Sequence, residues 1–85
     1  MIDGPHIEQI RSLAHVRAGE TLVVESILFD ANRARLAAAG VAEGDRIRCR
    51  TSTSSHVQIE TARGALLNVE RSWASFVEVS PALQA

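Results

Sequence analysis

Hydrophobic and polar residues alternate differently in successive parts of the chain, and these changes predict where its strands begin and end. In the segment TLVVESILF at 21–29, apolar residues are nearly continuous, which predicts a long and well-buried strand. The segments RIRCRT at 46–51 and HVQIET at 56–61 alternate polar and apolar residues, as strands with one solvent-exposed face do. Shorter apolar segments at 65–69 and 76–79 complete a predicted set of five strands.

Two segments between these strands have the features of helices. Asp30 is suited to be an N-cap, the alanine-rich run 31–39 favours helix, and Gly40 can adopt the left-handed conformation that ends a helix. Residues 70–74 are predicted to form a single helical turn. At the N-terminus, apolar residues recur at helical spacing from Ile7 onward, which predicts a short amphipathic helix or a loose arm.

Together these elements predict a mainly β fold. Because five short strands cannot cover both faces of a flat sheet, we expect a small barrel of about five strands, with one short helix after the first strand. Residues 13–80 are expected to form the barrel, 1–12 an N-terminal extension or short helix, and 81–85 a C-terminal tail. The expected structural turns contain Gly40, Gly44 and Gly64.

The composition predicts one soluble domain. The chain has 85 residues, 46% of them hydrophobic, and a formal net charge of −1, so we expect a single core and no extensive disorder. The nearly neutral charge disfavours nucleic acid as a partner. The sequence contains no pattern typical of a signal peptide or a membrane helix, so we expect a cytoplasmic protein that does not insert into a membrane.

Candidate catalytic and metal-binding residues are few and are scattered along the sequence. The candidate metal ligands are His6, His15, His56, Cys49, Glu20 and Glu60. They form no local ligand pair, and Cys49 is expected to point into the core with Ile47 and Thr51, so we predict no metal site and no cofactor. The sequence lacks a glycine-rich phosphate loop, a nucleophile elbow, lysine and tyrosine, so we predict that the protein is not an enzyme.

One face of the second predicted strand carries a row of arginines. This arginine row consists of Arg46, Arg48 and Arg50. One register of the hairpin that follows places Cys49 opposite Ile59. In that register Arg48 faces Glu60 and Arg50 faces Gln58, and such cross-strand pairs are a structural explanation for the row. An equally good explanation is a docking face that meets acidic groups on a partner, extended by Arg33, Arg35 or Arg63.

The two late aromatic residues have different predicted roles. Phe76 is expected to pack in the core at one end of the barrel. Trp73 has two interpretations, as part of the same plug or as an exposed residue that dominates binding to a partner. The sequence leaves both interpretations of Trp73 open.

The order of the elements and the spacing of glycine and aliphatic residues from Leu13 to Val79 resemble the FeoA domain. The densest matching segment is RLAAAGVAEGDRIRC at 35–49, which resembles the helix–turn–strand unit of that family. The other matching residues are Leu13, Gly19, Glu20, Gly64, Leu66, Leu67, Ala74, Val77, Glu78 and Val79. The polar loop TSTSSHV at 51–57 departs from the family, in which Pro and Gly are common here. The resemblance implies an SH3-like β-barrel.

The same resemblance implies a function. FeoA proteins are cytosolic accessories of bacterial ferrous iron uptake and act with FeoB, a membrane transporter with a cytosolic GTPase domain. The barrel also occurs at the C-terminus of DtxR-like repressors, but no DNA-binding helices precede it here, so we expect a stand-alone regulator of a FeoB-like transporter. Two alternatives remain: a nucleic-acid-binding barrel that uses the arginine row on phosphates, and a barrel that forms a homo-oligomer through an exposed strand edge.

Overall fold

The computed structural model describes residues 10–82 and contains one antiparallel sheet with three short helical segments. The strands are β1 (Arg11–Ser12), β2 (Thr21–Ile27), β3 (Arg46–Ser52), β4 (His56–Glu60), β5 (Leu66–Glu70) and β6 (Val77–Pro81). The helices are the 3-10 helix Leu13–His15, α1 (Asp30–Ala38) and α2 (Arg71–Ala74). The strand order is β1-β6-β2-β3-β4-β5, which confirms the prediction of a mainly β fold.

A single hydrophobic core holds these elements together. Strands β2 to β6 each contribute buried side chains, and among the described residues α1 contributes only Leu36. The core consists of Leu13, Ala14, Val16, Leu22, Val24, Ile27, Leu36, Val41, Ile47, Cys49, Val57, Ile59, Val69, Ala74, Val77 and Val79. The alternating burial of β3 and β4 shows why their sequences alternate, because each strand has one face on the core and one in solvent.

The N-terminal part of the described chain differs from the predicted helix. Arg11 and Ser12 form β1 and pair with β6, where they lie opposite Val79 and Glu78. The chain then turns through the 3-10 helix, which buries Leu13 and Ala14. The apolar residues at 10 and 13 that suggested a helical face therefore belong to two different elements. The beginning of the predicted helix, including Ile7, lies outside the described residues.

A β-bulge in β2 changes which residues of this strand face the core, and the strand is shorter than its sequence suggested. Val24 lies opposite Val79 and Ser26 opposite Glu78, so Glu25 is an extra residue without a directly opposed partner on β6. The bulge shifts the alternation by one position, so that Ile27 is buried and the strand ends there. Residues 28 and 29, predicted to be part of a buried strand, are exposed.

A second β-bulge changes the predicted pairing of the arginine row. Cys49 lies opposite Ile59 and Arg48 opposite Glu60, as the alternation predicted, but Thr51 rather than Arg50 lies opposite Gln58. Arg50 is therefore the extra residue of the bulge. Thr51, which was expected to point inward, is exposed for the same reason.

The first turn of α1 has no side-chain cap, whereas its last turn is closed by backbone hydrogen bonds. Asp30 was predicted as the N-cap, but it is the first helical residue, and Phe29 occupies the N-cap without a side-chain hydrogen bond. At the other end, the Gly40 N–H donates to the Ala37 carbonyl at 3.0 Å and the Val41 N–H donates to the Leu36 carbonyl at 2.9 Å. This is a Schellman motif, with buried Leu36 and Val41 in the positions that usually make its hydrophobic contact.

Gly40 provides a direct test of this helix end. Its φ is 89°, and a methyl group added there would meet no atom within 4 Å, so the cost of a side chain is backbone strain alone. We expect Gly40→Ala to lower the free energy of unfolding by about 1 kcal/mol, and Gly40→Asn to cost less because asparagine tolerates a positive φ. Urea denaturation of the three proteins measures the difference. Equal losses for the two variants would contradict this explanation.

Arg71, the first residue of α2, bonds to several segments that are distant in the sequence. Its Nε donates to the Thr53 carbonyl at 2.8 Å and its Nη2 donates to the Ser52 hydroxyl at 2.6 Å. Its Nη1 donates to the Ala14 carbonyl, and its backbone N–H donates to the Ser55 carbonyl at 2.8 Å. One side chain therefore connects α2 to the β3–β4 loop and to the 3-10 helix.

Candidate partner-binding surface

Two aromatic residues lie on the surface where β2 ends and β6 begins. Phe29 is 63% exposed and Phe76 is 38% exposed, so the prediction that Phe76 packs in the core is wrong. Their rings meet edge to face, with centroids 5.1 Å apart and an interplanar angle of 82°. The exposed Leu28 completes the patch, and its N–H donates to the Phe76 carbonyl at 2.9 Å. The two phenylalanines of the chain thus form one exposed pair.

The backbone of Phe29 is in a conformation that a side chain disfavours. Its φ is 73° and its ψ is 133°, and no other non-glycine residue among 10–82 has a positive φ. Such a conformation costs about 1–3 kcal/mol and persists only where surrounding interactions fix it. Here the Phe29 carbonyl accepts the Arg33 N–H at 3.1 Å, and the Leu28 N–H is bonded to β6. Phe29 therefore combines a strained backbone conformation with a ring that is largely exposed to solvent.

Arg33 belongs to the support of this patch. Its Nη2 donates to the Ile27 carbonyl at 2.9 Å, while its Nη1 lies 2.7 Å from the Asp30 carboxylate. Glu43 lies 3.5 Å from the same guanidinium and accepts the Ile27 N–H at 2.9 Å. Arg33 was predicted to be a docking residue, and the structure places its charge beside two carboxylates.

Arg35 and Trp73, two other predicted docking residues, are brought together by the fold. The guanidinium carbon of Arg35 lies 5.0 Å from the centre of the Trp73 ring, a cation–π contact between α1 and α2. Trp73 is half-buried and packs against the core. The Phe76 N–H donates to the Trp73 carbonyl at 3.0 Å, so a single turn links this contact to the phenylalanine pair. We call Leu28, Phe29, Arg35, Trp73 and Phe76 the aromatic surface.

The arginine row lies on the solvent-exposed face of β3. Arg46 is opposite Val23 of β2, and Arg48 is between Thr21 of β2 and Glu60 of β4. The ion pair with Glu60 is made by Arg50, at 3.0 Å, although Arg48 is the residue directly opposite. The bulge at Arg50 accounts for this exchange of partners. Because the pair is exposed, it contributes about 0–1 kcal/mol to stability.

The candidate metal ligands, which include the single cysteine, are not gathered into one cluster in the described part of the chain. Across residues 10–82, His, Cys, Asp and Glu side chains form no group of three that could hold a metal ion. His6 lies outside the described residues. Cys49 is fully buried, and burial, followed by the nearby Glu20 carboxylate, raises the pKa of its thiol. The structure therefore places Cys49 in the core, as its inward phase predicted.

Glu20 is held in its charged form by the turn before β2. Burial opposes its ionisation, but hydrogen bonds from the Arg17 N–H and the Arg11 guanidinium outweigh burial and lower the pKa of Glu20. A carboxylate whose pKa is lower in the folded state stabilises the fold above its unfolded pKa, about 4.3, and this contribution disappears as the pH falls through the folded pKa.

We therefore expect Glu20→Gln to lower the free energy of unfolding by about 0.5 kcal/mol at neutral pH, a modest value because solvent screens the partly exposed ion pair. The difference from the parent protein should vanish in acid, below the folded pKa. Urea denaturation at a series of pH values tests this, with Arg11→Met as the matched variant on the other side of the ion pair. A difference that persists in acid would show that charge is not its cause.

Within the described part of the chain, no helix has the length and apolar character needed to cross a bilayer.

The family model of the FeoA domain matches residues 11–81. A solved structure of an iron uptake regulatory protein, FeoA, aligns with a TM-score of 0.77 at 23% identity, over 86% of this chain and 99% of that chain. A FeoA-like protein from Clostridium acetobutylicum aligns with a TM-score of 0.74 at 19% identity, over 91% of this chain and 92% of that chain.

A likeness to part of a larger protein is also present. A manganese-dependent transcriptional repressor aligns with a TM-score of 0.76 at 22% identity, over 86% of this chain but only 37% of the repressor. The comparison with curated proteins gives no match. The structural likenesses show a small SH3-like β-barrel, and the family model covers most of the sequence. The chain therefore belongs to the FeoA domain family.

Proposed function

We propose that this protein is a non-enzymatic accessory of bacterial ferrous iron uptake that works in the cytoplasm by binding the cytosolic GTPase domain of a FeoB-type transporter. Membership of the FeoA family supports the role in iron uptake. The observation that supports binding is the aromatic surface, above all the strained and exposed Phe29.

The composition of the aromatic surface suits a protein partner. Aromatic residues and arginine are enriched among the residues that dominate binding energies, and the Arg35–Trp73 contact adds a cation to an otherwise apolar patch. The patch is also rigid, because Arg33 and the Leu28–Phe76 hydrogen bond fix its backbone. A preorganised surface loses little conformational entropy when a partner binds.

Binding, rather than chemistry, also agrees with the state of the only cysteine. The Cys49 thiol is enclosed by the core, and its raised pKa keeps it protonated at neutral pH, so it is unsuited to act as a nucleophile. The conspicuous groups on the described surface are arginine and aromatic side chains, which recognise a partner through charge and apolar contact.

The direct test is titration of the purified full chain with the cytosolic GTPase domain of a FeoB-type transporter from the same genome. Trp73 is the single tryptophan, and its carbonyl accepts the Phe76 N–H, so its fluorescence can report binding if the GTPase domain is tryptophan-free. If the GTPase domain contains tryptophan, isothermal titration calorimetry measures the binding instead. An unrelated small GTPase is the control. Absence of binding at high micromolar concentration, with both proteins folded, would contradict the proposed function.

The salt dependence of that binding distinguishes the two candidate surfaces. If the aromatic surface docks, the affinity should change little between low and high salt, since most of its contact is apolar. If the arginine row of Arg46, Arg48 and Arg50 docks on acidic groups, the affinity should fall steeply with salt. We propose the aromatic surface as the main contact, with the arginine row as the remaining candidate.

A further inference from the structure

Strand β5 forms one edge of the sheet, and the hydrogen bonds around it show which backbone groups point away from β4. The Thr61 N–H donates to the Ala65 carbonyl, and the Arg71 N–H donates to the Ser55 carbonyl, both at 2.8 Å. The register between these two bonds has no shift. Since bonding alternates along an antiparallel pair, residues 65, 67, 69 and 71 bond on the β4 side. The N–H groups of 66, 68 and 70 and the carbonyls of 66 and 68 point outward, while the carbonyl of Glu70, the N-cap of α2, accepts the first bond of that helix.

These outward groups lie on a regular strand with little of the usual protection of an edge. Among residues 10–82, β5 pairs only with β4, and Leu66 is 59% exposed. The strand contains no proline and no bulge, and its only charged residue is Glu70 at its C-terminal end, so few of the devices that commonly prevent an edge from pairing with another chain are present. At the opposite edge, β1 has only two residues, and a short edge strand is itself protective.

The sequence of β5, LLNVE, is compatible with antiparallel pairing to itself. A two-fold axis at Asn68 places Leu66 opposite Glu70 of the second copy and Asn68 opposite its own equivalent. In this register the Asn68 N–H and carbonyl groups of the two copies can bond reciprocally, and each Glu70 N–H can donate to the Leu66 carbonyl of the other copy. No two like charges are opposed, because Glu70 is the only charged residue of the strand.

We propose that two copies of this chain associate through β5, as a symmetric dimer in which their sheets continue across the two-fold axis. The symmetry limits the assembly to two copies, because the β5 edge of each copy is hydrogen-bonded to the β5 edge of the other. The proposal is independent of the function proposed above, since the aromatic surface belongs to α1, α2 and the junction of β2 with β6.

Sedimentation of the full chain over a range of concentrations tests the dimer. We expect the average mass to rise toward twice the monomer mass for the parent protein and for Asn68→Thr, which keeps the outward N–H. Asn68→Pro should remain monomeric, because proline removes that N–H without removing a hydrogen bond to β4. Trp73 fluorescence and circular dichroism show whether the proline variant is folded. A dimer that survives Asn68→Pro in folded protein would overturn the proposal.

The register has its own test. Leu66→Glu places a second carboxylate opposite Glu70 of the second copy, so at low salt it should weaken the dimer about fivefold more than Leu66→Gln does, and this difference should shrink at high salt. Equal weakening by the two variants, or a difference that salt does not alter, would show that the strands do not pair in this register.

Amide exchange measured by NMR provides evidence that does not depend on a substitution. The amides of Leu66, Asn68 and Glu70 should exchange rapidly in dilute protein and more slowly as the concentration rises. Rapid exchange at every concentration would overturn the proposal. Slow exchange in a monomer would also overturn it, because the edge would then be covered within one chain.

Discussion

Replacing Arg71 by methionine should lower the free energy of unfolding by about 3 kcal/mol. The substitution keeps an unbranched apolar stem but removes the donors to Thr53, Ser52 and Ala14. Hydrogen bonds that involve a charged group contribute about 1.5–3 kcal/mol each, and the partial exposure of Arg71 reduces their sum. The loss should also release the β3–β4 loop, whose carbonyl at Thr53 would no longer be bonded to α2. Chemical denaturation measures the change.

Two further variants make this result specific. Arg71→Lys keeps the positive charge but cannot reach three separate acceptors, so it should recover only a minor part of the lost stability. Arg48→Met, on the exposed face of β3, should change stability by no more than about 0.5 kcal/mol. If Arg71→Met costs as little as Arg48→Met, the hydrogen bonds of Arg71 do not hold these segments together.

Replacing Phe29 by glycine should separate binding from stability. Glycine adopts a φ of 73° without penalty, so about 1 kcal/mol of strain is relieved, while the loss of the edge-to-face contact with Phe76 costs a similar amount. The free energy of unfolding should therefore stay within about 1 kcal/mol of the parent value. The affinity for the GTPase domain should fall at least tenfold, because a central exposed aromatic residue is removed.

Phe29→Ala is the matched control for this separation. It removes the same ring but keeps a side chain at positive φ, so it should weaken binding as much as Phe29→Gly and be about 1 kcal/mol less stable than the glycine variant. If the parent protein binds and Phe29→Gly binds equally well, the aromatic surface is the wrong site. If the parent protein does not bind, the proposed function itself fails.

The elements of the barrel could be predicted because the signals that define them are local. Alternation of polar and apolar residues located β3 and β4 and showed which of their residues face the core up to Cys49 and at Val57 and Ile59. The alanine-rich run and Gly40 located α1 and its end. These features depend on side-chain preference and backbone freedom within a few residues, and both can be read from a single sequence.

The errors arose where one extra residue changed the phase of a strand. The bulges at Glu25 and Arg50 are determined by how β2 and β3 twist against their neighbours, and nothing in the residues themselves marks them. The first bulge changes the phase of β2, which ends at Ile27, and Phe29 takes the N-cap position expected for Asp30. The exposed aromatic pair could not be predicted for this reason, since the pattern ILF is equally typical of a buried strand end.

Contacts between residues that are far apart in the sequence also could not be predicted. Arg71 could not be singled out from the sequence, because its hydrogen bond to the Ala14 carbonyl joins two residues that are 57 positions apart in the sequence. The contact of Arg35 with Trp73 depends likewise on how α1 and α2 are brought together. A two-residue strand such as β1 carries no periodicity at all, and its existence depends on the pairing offered by β6.

The position of β6 has a consequence for how the protein matures on the ribosome. Among the described strands β6 is synthesised last, yet it lies between β1 and β2, so neither of these can complete its pairing until residue 81 has left the ribosomal exit tunnel. Synthesis therefore delivers the β2–β3–β4–β5 meander before β6, and β1 and β2 are joined only when β6 has emerged. A nascent chain stalled before Val77 should expose the edge of β2 and be a target for chaperones or proteases.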